Sequence, residues 1–402
     1  MVTKPFYFEI KAKLPGTKAR SGTIHTPHGQ IQTPAFIPVG TKATLKALTP
    51  EQLEATGAQA VLANAYHLYL RPGHKIIDDA GGLHKFMNWQ GPTFTDSGGF
   101  QVMSLGVGFK KVIDMIGKEP VEPQSSKDKL ATIDNDGVTF KSHLDGSLHR
   151  LTPEVSMQIQ HGIGADITFA FDELTTLYHD YNYQVDSLNK RTHPWAERSL
   201  AEHKRLNSER THRPPQALFG VVQGANHEDL RRKSAKFLGA MDFDGYGLGG
   251  ALEKEKIGEI TGWMCEELPD NKPRHMLGIS EPDDIFACIE NGADTFDCVS
   301  PARVGRNGAL YTKNGRVNIR RAEFANDHTQ FDETCTCYTC QNYTKAYLHH
   351  LFRSGELLAN TLATIHNEQF IVKLVDNIRL SINDGTFFEF KTDFLNSYYS
   401  KD

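Results

Sequence analysis

Eight short runs rich in β-branched and aromatic residues recur along the chain, most of them ending in a polar or glycine-rich turn ahead of a helix-like segment. They are 34–40 (PAFIPVG), 60–67 (AVLANAYH), 93–99 (TFTDSGG), 166–173 (DITFAFDE), 217–224 (ALFGVVQG), 244–250 (DGYGLGG), 274–280 (RHMLGIS) and 294–300 (DTFDCVS). Several of the segments between them open with helix-start chemistry. Thr49-Pro50-Glu51, Thr152-Pro153-Glu154, Asn226-His227-Glu228 and Ser280-Glu281-Pro282 each set a capping residue before proline or an acid. Eight βα units predict a closed parallel (β/α)8, or TIM, barrel; an open doubly wound sheet is the alternative. In the barrel the reactive groups gather at the C-terminal ends of the strands, which here carry Asp96, Asp172, Gln223, Gly249, Gly250 and Asp297.

The composition agrees with a globular enzyme-sized chain. Of 402 residues, 39% are hydrophobic and 23% charged, which excludes collagen, wholesale disorder and coiled coil. The opening MVTKPFYFEIKAK mixes charge with apolar residues, and no run of about 18 apolar residues occurs, so a soluble, cytoplasmic protein without a membrane partner is expected. A net charge of −5 does not draw polyanions to the whole molecule, so nucleic acid would need a local basic face.

Two segments break the βα rhythm. Within a barrel spanning 1–300 with an N-terminal extension, an insertion at about 107–150 holds an exposed loop and a hairpin, with VTFKSHLDGSLHRLT reading as strand, Asp-Gly turn, strand. Residues 301–370 carry the cysteine cluster and read as a zinc-binding subdomain near the C-terminus. The remainder, 371–402, reads as a helix followed by frayed aromatic and polar sequence.

Three of the six cysteines fall at Cys335-x-Cys337-x2-Cys340, and His366 follows in TLATIHNEQFIVKLV, which reads as an amphipathic helix. Three thiolates and an imidazole form the closed tetrahedral set that zinc favours, and four protein ligands suit one structural Zn2+ per subunit. His349 and His350 are rival fourth ligands by spacing alone.

Among the acids, Asp96 sits in Thr95-Asp96-Ser97-Gly98-Gly99-Phe100-Gln101, where the glycines let backbone amides approach a ligand. Asp172 ends an apolar run beside Glu173, and Asp297 has apolar neighbours that make its charge costly to bury without a task. Several acids at one barrel mouth suit chemistry at an anomeric carbon, where one carboxylate attacks and another moves a proton. Gln223 and the Gly249-Gly250 amides add neutral groups of the kind that read a flat heterocycle. Arg303, Arg306, Lys313, Arg316, Arg320 and Arg321 form a basic stretch after Asp297, which reads either as a solvated charged face or as a set of phosphate contacts beside the pocket.

TDSGGFQVMSLG, FDE, GVVQG, GYGLGG, LGISEPDD, TFDCVSPARVGRNG and the CxCxxC set with its downstream histidine resemble, in order, the motifs of the tRNA-guanine transglycosylases, also called queuine tRNA-ribosyltransferases, of the bacterial type. The resemblance runs from about residue 20 to 370 and implies the same barrel with an inserted zinc subdomain. It further implies exchange of guanine at the wobble position of G-U-N anticodons (tRNAs for Asp, Asn, His and Tyr) for a 7-deazaguanine base, in queuosine biosynthesis.

Carried residue by residue, the resemblance makes Asp297 the nucleophile that joins the ribose and Asp96 the general acid/base. Asp96, Ser97, Gly98, Gly99 and Phe100 line the base, with Phe100 stacking on it where many relatives have Tyr. Asp172 takes the guanidine-like edge, while Gln223 and the Gly250 amide bind the carbonyl. Gly278, Ile279, Ser280, Glu281, Pro282, Asp283 and Asp284, together with Ala302, Arg303, Val304, Gly305 and Arg306, line the RNA path. A homodimer is implied as well. Two departures bear on the base: Leu174 follows Asp172-Glu173 where many bacterial relatives carry Cys, and Gly249-Gly250-Ala251-Leu252-Glu253-Lys254-Glu255 replaces Gly-Gly-Leu-Ala-Val-Gly-Glu. Glu255 falls where a Glu serves the aminomethyl group, which favours 7-aminomethyl-7-deazaguanine over queuine.

Overall fold

A computed structural model describes residues 6–107 and 131–400. Eight parallel strands carry the molecule: β1 (Ala35–Pro38), β2 (Val61–Ala63), β3 (Thr93–Thr95), β4 (Ile167–Phe169), β5 (Ala217–Val222), β6 (Gly245–Leu248), β7 (Arg274–Met276) and β8 (Thr295–Cys298). Each of the eight expected runs contains one. The hydrogen-bonded order is β1-β8-β7-β6-β5-β4-β3-β2, and a parallel bridge between Val39 and Leu62 brings the two ends of that sheet together. The sheet is therefore a barrel, not an open doubly wound layer.

The strands are buried along their length except at Asp297 and Cys298, which end β8, and their side chains fill the interior. Ile37, Leu62, Phe94, Phe169, Phe219 and Val221 form one core cluster, and the Phe169 and Phe219 rings meet edge-on at 5.6 Å. A second, larger cluster fills the layer between strands and helices. The helix starts divide into two kinds. Thr49 forms a full capping box with Gln52, and Thr152 caps Val155 ahead of Pro153. The helices Glu228–Gly239 and Pro282–Glu290 begin where expected, but no side chain caps them.

A three-stranded antiparallel sheet (Tyr7–Lys13, Arg20–Thr26, Gly29–Thr33) precedes the barrel, and its Ile24 and Ile31 join the barrel's inner cluster. Arg20 is buried and doubly bonded to Asp294, at 2.8 and 2.7 Å, which ties this sheet to the start of β8. The expected hairpin is present as Gly137–Lys141 paired with Leu148–Leu151, and Ala131–Asp134 adds a third strand to it. The expected exposed loop of the insertion lies mostly outside the described residues.

The C-terminal region differs from expectation in two ways. Helix Leu357–Asp384 runs through residue 370, and it is buried over most of its circumference around His366 rather than amphipathic. It packs on helix Ser300–Arg306, on β1 and under the final helix, so few positions face water. Residues expected to fray form helix Phe387–Tyr398, because Phe387 and Phe390 turn their rings onto Phe286 at 5.9 and 5.7 Å. Among the described residues no helix is long and apolar enough to cross a membrane.

Candidate active site and metal centre

The strand ends bring together Asp96, Asp172, Gln223, Gly250 and Asp297, which lie on or just beyond five different strands. Asp96 follows β3. Its carboxylate accepts hydrogen bonds from Asn64 Nδ2 (2.5 Å), the Ala65 amide (2.7 Å) and Gln101 Nε2 (2.9 Å). Burial nevertheless raises its pKa above the ordinary carboxylate value, and the charge of Asp297 pushes in the same direction. Asp96 thus holds a proton more readily than a free aspartate does.

Asp297, on β8, is bound on one oxygen: Oδ1 lies 3.0 Å from His275 Nε2 and accepts from the Gly278 amide at 3.2 Å. His275 is fully buried between Phe94 and Phe169 and fixed on its other side by the Thr295 hydroxyl at 2.8 Å. Asp297 therefore pairs with a histidine, and neither Arg303 nor Arg306 forms an ion pair with it.

Asp172 and Gln223 pair with each other beyond neighbouring strands β4 and β5. Gln223 Nε2 donates to Asp172 Oδ2 at 2.7 Å, and Ser97 Oγ lies 3.4 Å from Oδ1. Burial lifts the Asp172 pKa to about 6, although both hydrogen bonds oppose the shift. Gln223 is buried, and its Oε1 has no hydrogen-bond partner among the described residues. Gly98 (φ +79°) and Gly250 (φ +110°) both hold left-handed backbone that favours glycine, in the segments that follow β3 and β6. Phe100 is exposed at the start of helix Gly99–Val107, free to lie against a ligand.

The segments expected to meet RNA flank this mouth but do not present every residue to solvent. After β7, Gly278 is exposed, whereas Ser280, Pro282 and Asp284 are buried. The acids there are engaged internally: Asp283 with Lys254 (3.0 Å) and Tyr399 (2.6 Å), Glu281 with Arg316. In helix Ser300–Arg306, Arg303 is exposed and Arg306 half-buried, while Ala302 and Gly305 are buried. The basic stretch beyond divides likewise, since Arg316 and Arg320 lie over the rings of Tyr311 and Phe352 at 4.9 and 5.3 Å. Two exposed lysines complete the positive face. Lys42 and Lys46 follow β1, which pairs with β8, and burial together with Arg306, Lys42 and Arg303 lowers the Lys46 pKa. Among the described residues, none of these four cations is ion-paired to a carboxylate.

Sequence reasoning missed Asn64, His275, Lys42 and Lys46. His275 left a signal, as a lone polar ring inside an apolar strand; the others become neighbours of the site only when the barrel closes.

The metal centre is complete in donors. Nδ1 of His366 lies 3.7, 3.4 and 3.3 Å from the sulfurs of Cys335, Cys337 and Cys340, and the four ligand atoms lie within 4.8 Å of one another. His366 Nε2 donates to the Tyr311 carbonyl at 2.6 Å, which fixes the tautomer with its Nδ1 lone pair toward the thiolates. This set fits a structural zinc ion. The rivals are accounted for elsewhere: His349 Nδ1 bonds the Ile319 carbonyl, and His350 contacts Ser354 at the surface. A further group, His28, His84 and Asp166, also brings three donors together, but both imidazoles bond the carboxylate, at 2.7 and 3.0 Å, beside Thr93. It ties the opposite end of the barrel.

The family model described as queuine tRNA-ribosyltransferase matches residues 16–400. The chain is 45% identical over 394 residues to the queuine tRNA-ribosyltransferase of Desulforamulus reducens, covering 97% of this chain and 98% of that one. It is 46% identical over 395 residues to the one from Caldanaerobacter subterraneus, covering 98% and 97%. A putative queuine tRNA-ribosyltransferase of Archaeoglobus fulgidus is 45% identical over 412 residues, covering 97% and 99%. Full-length similarity of this kind, on a closed barrel with a Cys3His centre, means that the chain belongs to the queuine tRNA-ribosyltransferase family and is a pentosyltransferase.

Proposed function

We propose that this enzyme exchanges guanine at the wobble position of G-U-N anticodons for a 7-deazaguanine base through a covalent Asp297–ribose intermediate. The observation that carries the reading is the contrast between two facing acids. Asp297 has one oxygen bound and the other open, whereas burial and the charge of Asp297 keep Asp96 protonated more readily. One suits attack and the other suits proton transfer.

Attack by Asp297 on the ribose C1′ breaks the bond to guanine and forms an ester, while Asp96 gives a proton to the departing base. The incoming base then attacks C1′, returns a proton to Asp96 and releases Asp297. Two displacements preserve configuration, and the ester holds the RNA while the bases trade places. Asp172 accepts from the amidine edge of each base, while Gln223 and the Gly250 amide donate to its carbonyl. Adenine, with the opposite pattern, leaves those groups unpaired. Anticodon loops let the nucleotide flip out at low cost.

Ser97, Gly98, Gly99 and Phe100 complete the base pocket. Residues 278–284 and 302–306 form the RNA path, joined by Lys42 and Lys46. Zinc, held by Cys335, Cys337, Cys340 and His366, supplies a structural cross-link and takes no part in the exchange. Glu255, exposed in the short 3-10 helix Lys254–Lys256 beyond Gly250, favours the aminomethyl base over queuine. The exposed rings of Tyr338 and Tyr347, with Tyr343 stacked on Tyr347 at 5.5 Å, favour a homodimer.

The test is incubation with labelled guanine and unmodified G-U-N tRNA. Incorporation should vanish in Asp297→Ala, and denaturing gels of the wild-type protein with a stem-loop should show a protein–RNA adduct. Normal exchange by Asp297→Ala would reject the reading.

A further inference from the structure

Arg231, on helix Glu228–Gly239, has no solvent exposure and no carboxylate partner among the described residues. Its guanidinium bonds mainly to backbone, with a 3.5 Å contact from Nη1 to the Met264 sulfur besides. Nε donates to the Ala225 carbonyl (2.7 Å), and Nη1 donates to the carbonyls of Val222 (3.1 Å) and Gly249 (2.6 Å). Nη2 has no hydrogen-bond partner among the described residues. Burial without a counter-charge pushes its pKa down to about 9, a cost that calls for a reason.

The reason lies in which carbonyls it holds. Val222 ends β5, immediately before Gln223, and Gly249 follows β6, immediately before Gly250; the Gly249 amide also donates to the Val222 carbonyl at 3.1 Å. Arg231 therefore ties together the two strand ends that present the carbonyl-reading groups. The Gly249 carbonyl and the Gly250 N–H belong to one peptide unit. In a trans peptide the two point in opposite directions, so anchoring the carbonyl on a buried cation aims the N–H away from it. A charge-assisted bond to the carbonyl also polarises the peptide and strengthens its N–H as a donor. The position leaves no slack: a Cβ on Gly250 would lie 2.7 Å from Arg231 Nη2 and 2.8 Å from Gln223 Oε1.

We infer that Arg231 is a positioning residue that orients and polarises the Gly250 amide toward the six-position carbonyl of the base. The inference rests on the proposed function. As the C1′–N9 bond breaks, its electron pair stays on the purine and spreads toward that carbonyl oxygen, while the new C1′–O bond to Asp297 forms and Asp96 supplies the proton. A fixed, polarised donor at the oxygen stabilises that charge, in the way an oxyanion hole does.

The test compares guanine with 2-aminopurine, which lacks the carbonyl, as competitors of labelled-guanine exchange in wild type, Arg231→Gln and Arg231→Lys, with thermal melts alongside. In Arg231→Gln, guanine should lose about tenfold in affinity, the worth of one charge-assisted hydrogen bond, while 2-aminopurine keeps its wild-type value. kcat should fall by about tenfold or more with the KM for tRNA unchanged. Arg231→Lys, which keeps the charge, should recover most of the loss. Equal losses for both bases, an unchanged ratio, or failure of both variants to fold would overturn the inference by leaving Arg231 a core residue only. A wild-type enzyme that binds neither base would instead remove the proposed function, and this inference with it.

Discussion

His275 Nε2 sits 3.0 Å from Asp297 Oδ1, with the ring wedged among phenylalanines inside the barrel. The contact restrains one carboxylate oxygen and leaves the other available for attack. Removing the imidazole in His275→Ala should slow formation of the protein–RNA adduct by about tenfold to a hundredfold, the range for losing a preorganised polar contact. Single-turnover trapping on a stem-loop measures this directly, and an unchanged rate would show that His275 only fills space.

Asp172 gives a pH dependence with a definite sign. Its carboxyl titrates at about 6 and must be ionised to accept from the base, so guanine binding should rise from pH 5 to pH 7 with a midpoint near that value. Equilibrium binding of guanine across that range checks it; affinity independent of pH would contradict the assignment.

The same shift has an opposite effect on stability. The folded state keeps a proton on Asp172 that the unfolded chain has already lost, so stability falls as pH rises from about 4 to about 6 and remains lowered above it. Asp172→Asn removes that cost. It should stabilise the protein by about 1–3 kcal/mol at pH 7.5 in denaturant titrations while abolishing guanine exchange. A variant less stable than wild type would mean that the Gln223–Asp172 bond outweighs the buried charge.

Lys42 and Lys46 should act through phosphate. Lys46→Ala is expected to weaken all tRNAs about equally and to flatten the plot of log affinity against log salt by about 0.7–0.9. Loss confined to one tRNA, or an unchanged slope, would place Lys46 away from the RNA.

Metal removal should be felt as instability. Three thiolates packed against one buried imidazole repel without a cation, so chelation at neutral pH should lower the melting temperature by several degrees. His366→Ala should purify with less than one equivalent of zinc by elemental analysis. A full equivalent bound to that variant would require another fourth ligand.

How much of this was legible in the sequence depends on distance along the chain. The eight strands could be read because each is a local run of apolar residues closed by a turn, and the Cys3His set because three of its members lie within six positions. Asp96, Asp172 and Asp297 stood out as acids at strand ends. Their partners did not, because Asn64 lies one strand away from Asp96 and His275 one strand away from Asp297, and only the parallel register sets them together. Lys42 and Lys46 meet Arg303 and Arg306 because the first and last strands pair, a closure no local window contains. The final helix was misread because its phenylalanines, which look unsupported in sequence, find their partner in Phe286, on the helix before β8.

Helix Leu357–Asp384 has one more implication. Next to His366, Asn367 donates to the carbonyls of Pro301 and Ala309, each at 3.0 Å, and accepts from the Tyr311 amide at 3.0 Å. One helical turn thus grips both the cysteine cluster and the backbone that carries Arg303 and Arg306, while the residues placed around the base are held by the other strand ends and the helices beside them. Starved of its ion, the enzyme would lose its hold on the anticodon before its taste for guanine, so free-base binding should outlast tRNA binding as the centre empties.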